Sequence, residues 1–559
     1  MKLSGKSYRF PIQKRVYVSL LSAGLLLFGV QTQLRSHAQS FPNRMATHHM
    51  RQQVMSGEAA FLNRMPANKA LKLNIALPLR NEAELDQFLQ DLYDPQSPQY
   101  RQYLSVEQFT ERFGPTEEDY DAVKQFAEQN GFIVTGVAPN RLVLNVSARV
   151  ADIERAFHLK MGVYQHPTEP RTFFAPDREP STDLQTPLWH ITGLDNFSIP
   201  HPMNLKHSAN VVANTTGSGP SGAFIGSDMR AAYYGGTALT GAGQSVGLLE
   251  FLGFNIADVN TYFSNLHQTR TVTVTGVSTD GSSLSCTGSC DDSEQDLDID
   301  AAITMAPGMS QCLVYVSDTS DVSIFNRMAT DNLAKSLSCS WGWQPADPSS
   351  DDPIFKEFSA QGQNLFVASG DSGAYSRRSP DVYPADDAFI TSVGGTDLTT
   401  VSAGGAWKSE TAWRDSGGGI SPNSIAIPSY QTTAGVITTA NKGSKTLRNS
   451  PDVAAEANTD NYLCSDGTCE GGWGGTSFAA PRWAGYLALA NQQAVANSLP
   501  TPGFINPTIY TIGLGSTYAT CFHDITSGTN GTYTCQKGYD LVTGWGSPNG
   551  SGLINALAP

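Results

Sequence analysis

Apolar runs of strand length alternate with helical patterns along residues 224–559, and this alternation constrains the fold more than any other feature of the sequence. The strand-like stretches "QSVGLLEFLG", "CLVYVS", "SLSCSWG", "NLFVASGDSG" and "AFITSVGGT" are interleaved with helical "SIFNRMATDNL", "PIFKEFSAQG" and "SFAAPRWAGYLALANQQAVA". Such alternation predicts an α/β fold with a mainly parallel sheet and helices on both faces. In these sheets, sites gather at the carboxyl ends of the strands. Residues 39–200 read instead as an α+β unit, with helical patterns in "NEAELDQFLQDLYD" and "TEEDYDAVKQFAEQNG" and alternating runs in "KLNIALPL" and "RLVLNVSA". Between the two, "HSANVVANTTGSGPSG" has the composition of an exposed tether, which places a linker at 201–223.

The N-terminus reads as an export signal. Lys2, Lys6, Arg9, Lys14 and Arg15 precede an apolar run, and small residues allow a cut after Ala38. The run is short for a bilayer span, so a secreted protein with no membrane attachment after signal removal is expected. From residue 206 onward 31 acidic side chains face 15 basic ones, and such a surface repels nucleic acid. All eight cysteines lie beyond residue 285, and an even number in an exported chain argues for disulfides. Short loops favour Cys286 with Cys290, Cys464 with Cys469 and Cys521 with Cys535, leaving Cys312 for Cys339.

In "GGWGGTSFAAP" the glycines permit close backbone approach, and Ser477 then opens a helix in the field of free backbone N–H groups. A Gly-Thr-Ser can also simply cap a helix. A nucleophilic serine needs a base, yet beyond residue 223 only His267 and His523 offer imidazole, and neither has a glycine-rich strand-to-helix setting. The acidic run "DDSEQDLDID" supplies the alternative. Ser293, followed three residues later by Asp296, marks a helix start, and Glu294 and Asp298 stand four apart on one face. Neighbouring carboxylates share a proton and split their apparent pKa values, so one of them becomes a general base below neutral pH. An EF-hand loop would need a glycine at its sixth position and Glu at its twelfth, both absent here. Asp291, Asp292, Asp296 and Asp300 then read as helix-start and solvent-facing charge. A third element, "NLFVASGDSG", ends an apolar strand in a glycine-flanked Asp371. Protonated, that carboxyl can donate to a developing oxyanion; unassisted, it is an ordinary strand-end turn.

In this order, "LYDPQSPQYRQYLSVEQFTERFGP", "EQDLDID", "SLSCSWG", "SGDSG", "YPADDAFITSVGGT", "GGTSFAAP" and "DLVTGWGSP" resemble the sedolisin family of serine-carboxyl peptidases, kumamolisin-like members with an activation domain above all. The resemblance runs from about residue 70 to the C-terminus. It implies a subtilisin-like peptidase domain at 224–559 and a ferredoxin-like activation prodomain at 39–200 that blocks the cleft until it is cut off in acid. It implies Ser477 as nucleophile, Glu294 as general base, Asp298 as its orienting carboxylate and Asp371 as oxyanion donor, with Glu250 and Trp341 in the outer hydrogen-bond network. It further implies one calcium ion held by Asp524, Ile525, Gln536, Gly538 and Asp540, Gln536 standing where relatives often have glycine. The expected partners are protein or peptide substrates and the chain's own prodomain, with the protein a monomer. A tripeptidyl exopeptidase, or an inactive binding protein on the same fold, is the competing reading.

Overall fold

Alternation of apolar and polar residues sets the first sheet. The structure, a computed structural model, describes residues 43–44 and 47–559 except 204, 209–215, 289, 377–378 and 380–381. The export signal and the cut after Ala38 lie outside the described residues. Strand β1 (Ala70–Ala76) buries Leu71, Leu73 and Ile75, and is followed by helices α1 (Glu82–Tyr93) and α2 (Glu117–Gln129). Thr116 caps α2 by accepting from Asp119 N at 3.1 Å, and Glu117, Glu118 and Asp119 favour its positive end. Strands β2 (Ile133–Val137) and β3 (Val143–Arg149), helix α3 (Val150–Ala156) and strand β4 (His190–Thr192) complete a βαββαβ unit. Its order is β2-β3-β1-β4 with every pairing antiparallel, the ferredoxin-like arrangement.

This unit does not bury all its apolar surface on itself. Leu85, Phe88, Leu89 and Leu92 of α1 join the large core of the C-terminal part, whereas Leu73, Ile75, Val146 and Ile153 form a separate core. Polar contacts secure the junction. Tyr93 Oη donates to Ser359 O at 2.7 Å, and buried Asn140 donates through Nδ2 to Asn326 Oδ1 at 2.8 Å and Glu357 Oε2 at 2.7 Å. Both parts lie within one compact unit, Pro42–Pro559.

Two short strands follow, β5 (His201–Pro202) and β6 (Lys206–His207). The main sheet then collects β7 (Ser245–Glu250), β8 (Thr273–Ser278), β9 (Gln311–Val316), β10 (Ser336–Cys339), β12 (Asn364–Ala368), β13 (Thr391–Thr400), β14 (Trp407–Ala412) and β15 (Val453–Glu456), with the two-residue β11 (Trp341–Gly342) just after β10. The order is β8-β9-β7-β10-β12-β13-β14, with β15 also on β13; only the β13–β14 pairing is antiparallel. The central strands β7 and β12 are buried along nearly their whole length, with apolar middles, because both their faces are covered. Helix α4 (Ile256–Asn265) and a hairpin of β16 (Asn461–Ser465) and β17 (Thr468–Gly474) flank α5 (Ser293–Met305). Helix α6 (Thr476–Ala496) packs against α5 and lies along β10, β12, β13 and β15.

Cys286–Cys290 and Cys464–Cys469 are disulfides. The two remaining pairings are corrected, since Cys312, Cys339, Cys521 and Cys535 are free and buried. Cys312 sits beside Val246 at one end of β7, and Cys339 beside Leu249 on its other side. Two strand spacings of about 4.8 Å separate them sideways, beyond the roughly 7 Å Cα reach of a disulfide. Cys521 lies against Gly552, while Cys535 packs with Ala412, Ile525 and Val542.

Candidate active site

Strand β12 delivers Asp371 from its carboxyl end through Ser369 and Gly370, whose φ of +100° favours glycine. Asp371 Oδ1 accepts from Thr476 N at 2.7 Å and from Thr476 Oγ1 at 2.8 Å, and Thr476 Oγ1 accepts from Gly370 N at 3.0 Å. These bonds weld the strand end to the first turn of α6, where Ser477 follows. Gly475 is required by space. A Cβ there would stand 2.6 Å from Asp371 Oδ2.

Helix α5 packs against α6. Glu294 and Asp298 are buried on α5, with Glu294 close to Ser477 and Asp371. Ser340, between β10 and β11, donates to Asp298 Oδ1 at 2.8 Å and lies 3.4 Å from Ser477 O. Trp341 Nε1 donates to Glu250 Oε2 at 2.8 Å, and Glu250 reaches Asp298 in turn. Glu250, Asp298, Glu294 and Ser477 thus form one buried file of acidic and hydroxyl groups.

Burial pushes Glu294 well above the usual carboxylate range, and the neighbouring Asp298 charge pushes it further. Burial likewise raises Asp298, then the charge of Glu250; Glu250 is raised by burial, with the Trp341 bond opposing. The Ser477 hydroxyl lies beside Glu294 and opposes its upward shift. Neither Glu294 oxygen nor Ser477 Oγ completes a hydrogen bond of ordinary length and angle among the described residues, and such contacts commonly tighten only around substrate.

The cleft is filled by the chain itself. His201 and Pro202 in β5 pair antiparallel with Gly342 and Trp341, and Met203 N donates to Ser340 O at 3.2 Å. Lys206 and His207 in β6 pair antiparallel with Gly474 and Trp473, and Ser208 N donates to Gly472 O at 2.9 Å. His207 stacks on Trp473 with ring centroids 4.5 Å apart. Leu205 packs beside Gly475 and against the Leu297, Leu463 and Phe478 cluster. The tether therefore crosses the mouth of α6 as an added strand on both walls, the way an extended peptide is held by β-augmentation.

Residues 58–197 match the family described as Pro-kumamolisin, activation domain, and residues 270–508 match the Subtilase family. Over 539 residues the chain is 32% identical to sedolisin of Pseudomonas sp. (strain 101), spanning 89% of this chain and 88% of that protein. It is 30% identical over 500 residues to kumamolisin of Bacillus sp. (strain MN-32), spanning 83% of this chain and 87% of the relative. The chain belongs to the sedolisin family. Its structure is similar to that of Pseudomonas sedolisin, a serine-carboxyl proteinase solved with two molecules of pseudo-iodotyrostatin, with a TM-score of 0.52 and 28% identity over 61% of this chain and 98% of that one. A sedolisin-family peptidase domain with its activation prodomain is consistent with a zymogen protease.

In this sedolisin-family chain the acidic run corrects one expectation. Asp291 is exposed, but Asp292, Asp296 and Asp300 are buried, because α5 is enclosed on every side by α4, α6 and the β16–β17 hairpin. Of the C-terminal residues that the resemblance implies as calcium ligands, Asp524 meets Gly538, accepting from its N at 3.1 Å, and Asp540 meets Gln536, Oδ2 accepting from its N at 3.0 Å. The carbonyls of Ile525, Gln536 and Gly538 accept no hydrogen bond from described residues. Two carboxylates and three unengaged carbonyls fit a hard cation. Buried Asp540 is pushed up to about 7 by desolvation. The sequence offers Thr476 only as a helix cap and Ser340 not at all, although both lie inside quoted motifs: a hydroxyl beside the serine and another beside the tryptophan are the available signals.

Proposed function

We propose that this chain is a secreted, acid-acting serine-carboxyl endopeptidase made as a self-processing zymogen. Ser477 Oγ attacks the scissile carbonyl carbon while its proton passes to Glu294, which Asp298 orients. Asp371 in its protonated form donates to the oxyanion, as Thr476 pins its other oxygen. Glu294 returns the proton to the leaving nitrogen as the C–N bond breaks, leaving an acyl group on Ser477. Water then attacks that ester, with Glu294 taking its proton, and frees the serine. Calcium, held by Asp524, Asp540 and the carbonyls of Ile525, Gln536 and Gly538, would brace the loop beside β14.

The observation that carries this reading is the tether, which lies across the first turn of α6 in substrate-like pairing with both walls of the cleft. It supports a processing bond between residues 203 and 206. It also favours endopeptidase over tripeptidyl action, since the chain continues upstream past His201 to Ser198, whose hydroxyl donates to Pro345 O at 2.5 Å. Acidification of the purified precursor should give a new N-terminus between 204 and 206, while Ser477→Ala stays whole. Normal self-processing of Ser477→Ala would overturn the assignment, and release of tripeptides alone from a long unblocked peptide would replace endo by exo action.

A further inference from the structure

Three buried carboxylates meet at the root of α5, where Asp296 stands on a different face of the helix from Glu294 and Asp298. Asp258 of α4, Asp292 just before α5 and Asp296 within it each bring an oxygen within 4.8 Å of the others. All three are nearly inaccessible to solvent, and no lysine, arginine or histidine pairs with any of them among the described residues. Backbone and amide donors account for only part of the set. Asp258 Oδ2 accepts from Asn255 Nδ2 and Gly467 N, both at 2.9 Å; Asp292 Oδ1 accepts from Asp466 N at 2.7 Å; Asp296 Oδ1 accepts from Asn255 N at 3.0 Å.

A second observation points to a missing ligand. Asp296 is 0% exposed and its Oδ2 has no hydrogen-bond partner among the described residues. One turn further along the same helix face, Asp300 is 3% exposed and keeps both carboxylate oxygens without a partner. Like charges buried together at this distance repel strongly unless protonated or neutralised. We propose that Asp258, Asp292 and Asp296 form a binding site for one hard divalent cation, calcium in an exported protein. The donor set is entirely oxygen, without histidine or thiolate, and suits calcium rather than zinc or copper.

The site is separate from the C-terminal loop of Asp524 and Asp540. Two disulfides tie down its surroundings, Cys286–Cys290 just before Asp292 and Cys464–Cys469 around Asp466 and Gly467. A cation here joins α4 to α5, the helix that carries Glu294 and Asp298, while Asp466 N and Gly467 N, in the turn of the hairpin whose Trp473 and Gly474 hold the tether, donate to the same carboxylates.

The test uses the full-length Ser477→Ala precursor, which stays whole, stripped with chelator and titrated with calcium chloride at about pH 6, above the ordinary Asp range. Calorimetry should show one fewer ion bound by Asp296→Asn and by Asp258→Asn than by the parent, with the C-terminal site intact in all three. In calcium-free buffer Asp296→Asn should melt at or above the parent temperature, because it removes an uncompensated buried carboxylate; adding calcium should raise the parent's Tm more than the variant's. If Asp296→Asn fails to fold, Asp258→Asn decides alone. Unchanged stoichiometry with an undiminished calcium-dependent rise in Tm would overturn the proposal, leaving a cluster that is simply protonated.

Discussion

Gly475→Ala tests the geometry between the strand end and the serine. The residue is extended, with φ of 162°, so alanine meets no backbone strain. Its Cβ would stand 2.6 Å from Asp371 Oδ2 and 3.1 Å from Leu205 Cδ1. An ordinary carbon–oxygen approach takes about 3.3 Å, so the carboxylate must retreat by roughly 0.7 Å. It cannot swing freely, because Oδ1 is held by Thr476 N at 2.7 Å and Thr476 Oγ1 at 2.8 Å. Overpacking costs about 1–3 kcal/mol of stability, which a core of this size tolerates. Misplacing a catalytic group by about 1 Å, or losing an oxyanion donor, costs about 100-fold or more in rate, roughly 2.7–4 kcal/mol of barrier. The expected outcome is a folded protein whose kcat on an internally cleaved peptide falls about 100-fold, with KM changed little, since the defect appears mainly in the transition state. Steady-state kinetics of the mature variant beside a thermal melt provide the readout. A kcat within about threefold of the parent at an unchanged Tm, a barrier change below about 1 kcal/mol, would refute the placement of Asp371 at the reacting centre.

Asn140→Ala removes both bonds to Asn326 and Glu357 and leaves Glu357 buried with one donor fewer; a loss of about 1–3 kcal/mol should appear as faster activation and weaker inhibition by added prodomain, with the mature enzyme's Tm unmoved. Burial pushes Glu357 up to about 8 and Asp460 up to about 7, both above their unfolded values, so their contribution to stability is complete in acid and is lost as pH rises through these values. Chemical denaturation of the Ser477→Ala precursor should therefore need more denaturant at about pH 4 than at about pH 8, near the two ends of that titration range. Thiol labelling of the unfolded, unreduced chain should count four free cysteines, Cys312, Cys339, Cys521 and Cys535, and the native chain should react slowly because all four are buried.

The sequence carried the large pattern well and the short-range geometry poorly. Continuous apolar runs such as "NLFVAS" announce strands covered on both faces, and the spacing of Glu294 and Asp298 places both on one face of a helix whatever surrounds it. Burial of Asp292, Asp296 and Asp300 was not legible, because α5 is enclosed by elements distant in sequence and acidic residues ordinarily mark a wet face. The pairings of His201–Pro202 and Lys206–His207 escaped for a different reason. Two-residue strands have no period to detect, and their register comes from Trp341–Gly342 and Trp473–Gly474. Cysteine pairing succeeded for the two closest pairs, at sequence separations of 4 and 5; it failed for the longer loop between Cys521 and Cys535, which pack in different surroundings, and for Cys312 and Cys339, which β7 separates.

The central claim is covalent catalysis by Ser477 with Glu294 as its base, and a trapped intermediate tests it most directly. Mature enzyme mixed with an activated acyl substrate at acidic pH, quenched during the first turnover and digested, should show the substrate's acyl mass on the peptide bearing Ser477. Glu294→Gln should slow formation of that adduct while leaving the fold intact. A full first turnover with no acyl mass on Ser477, or with the mass on another residue, would contradict the account.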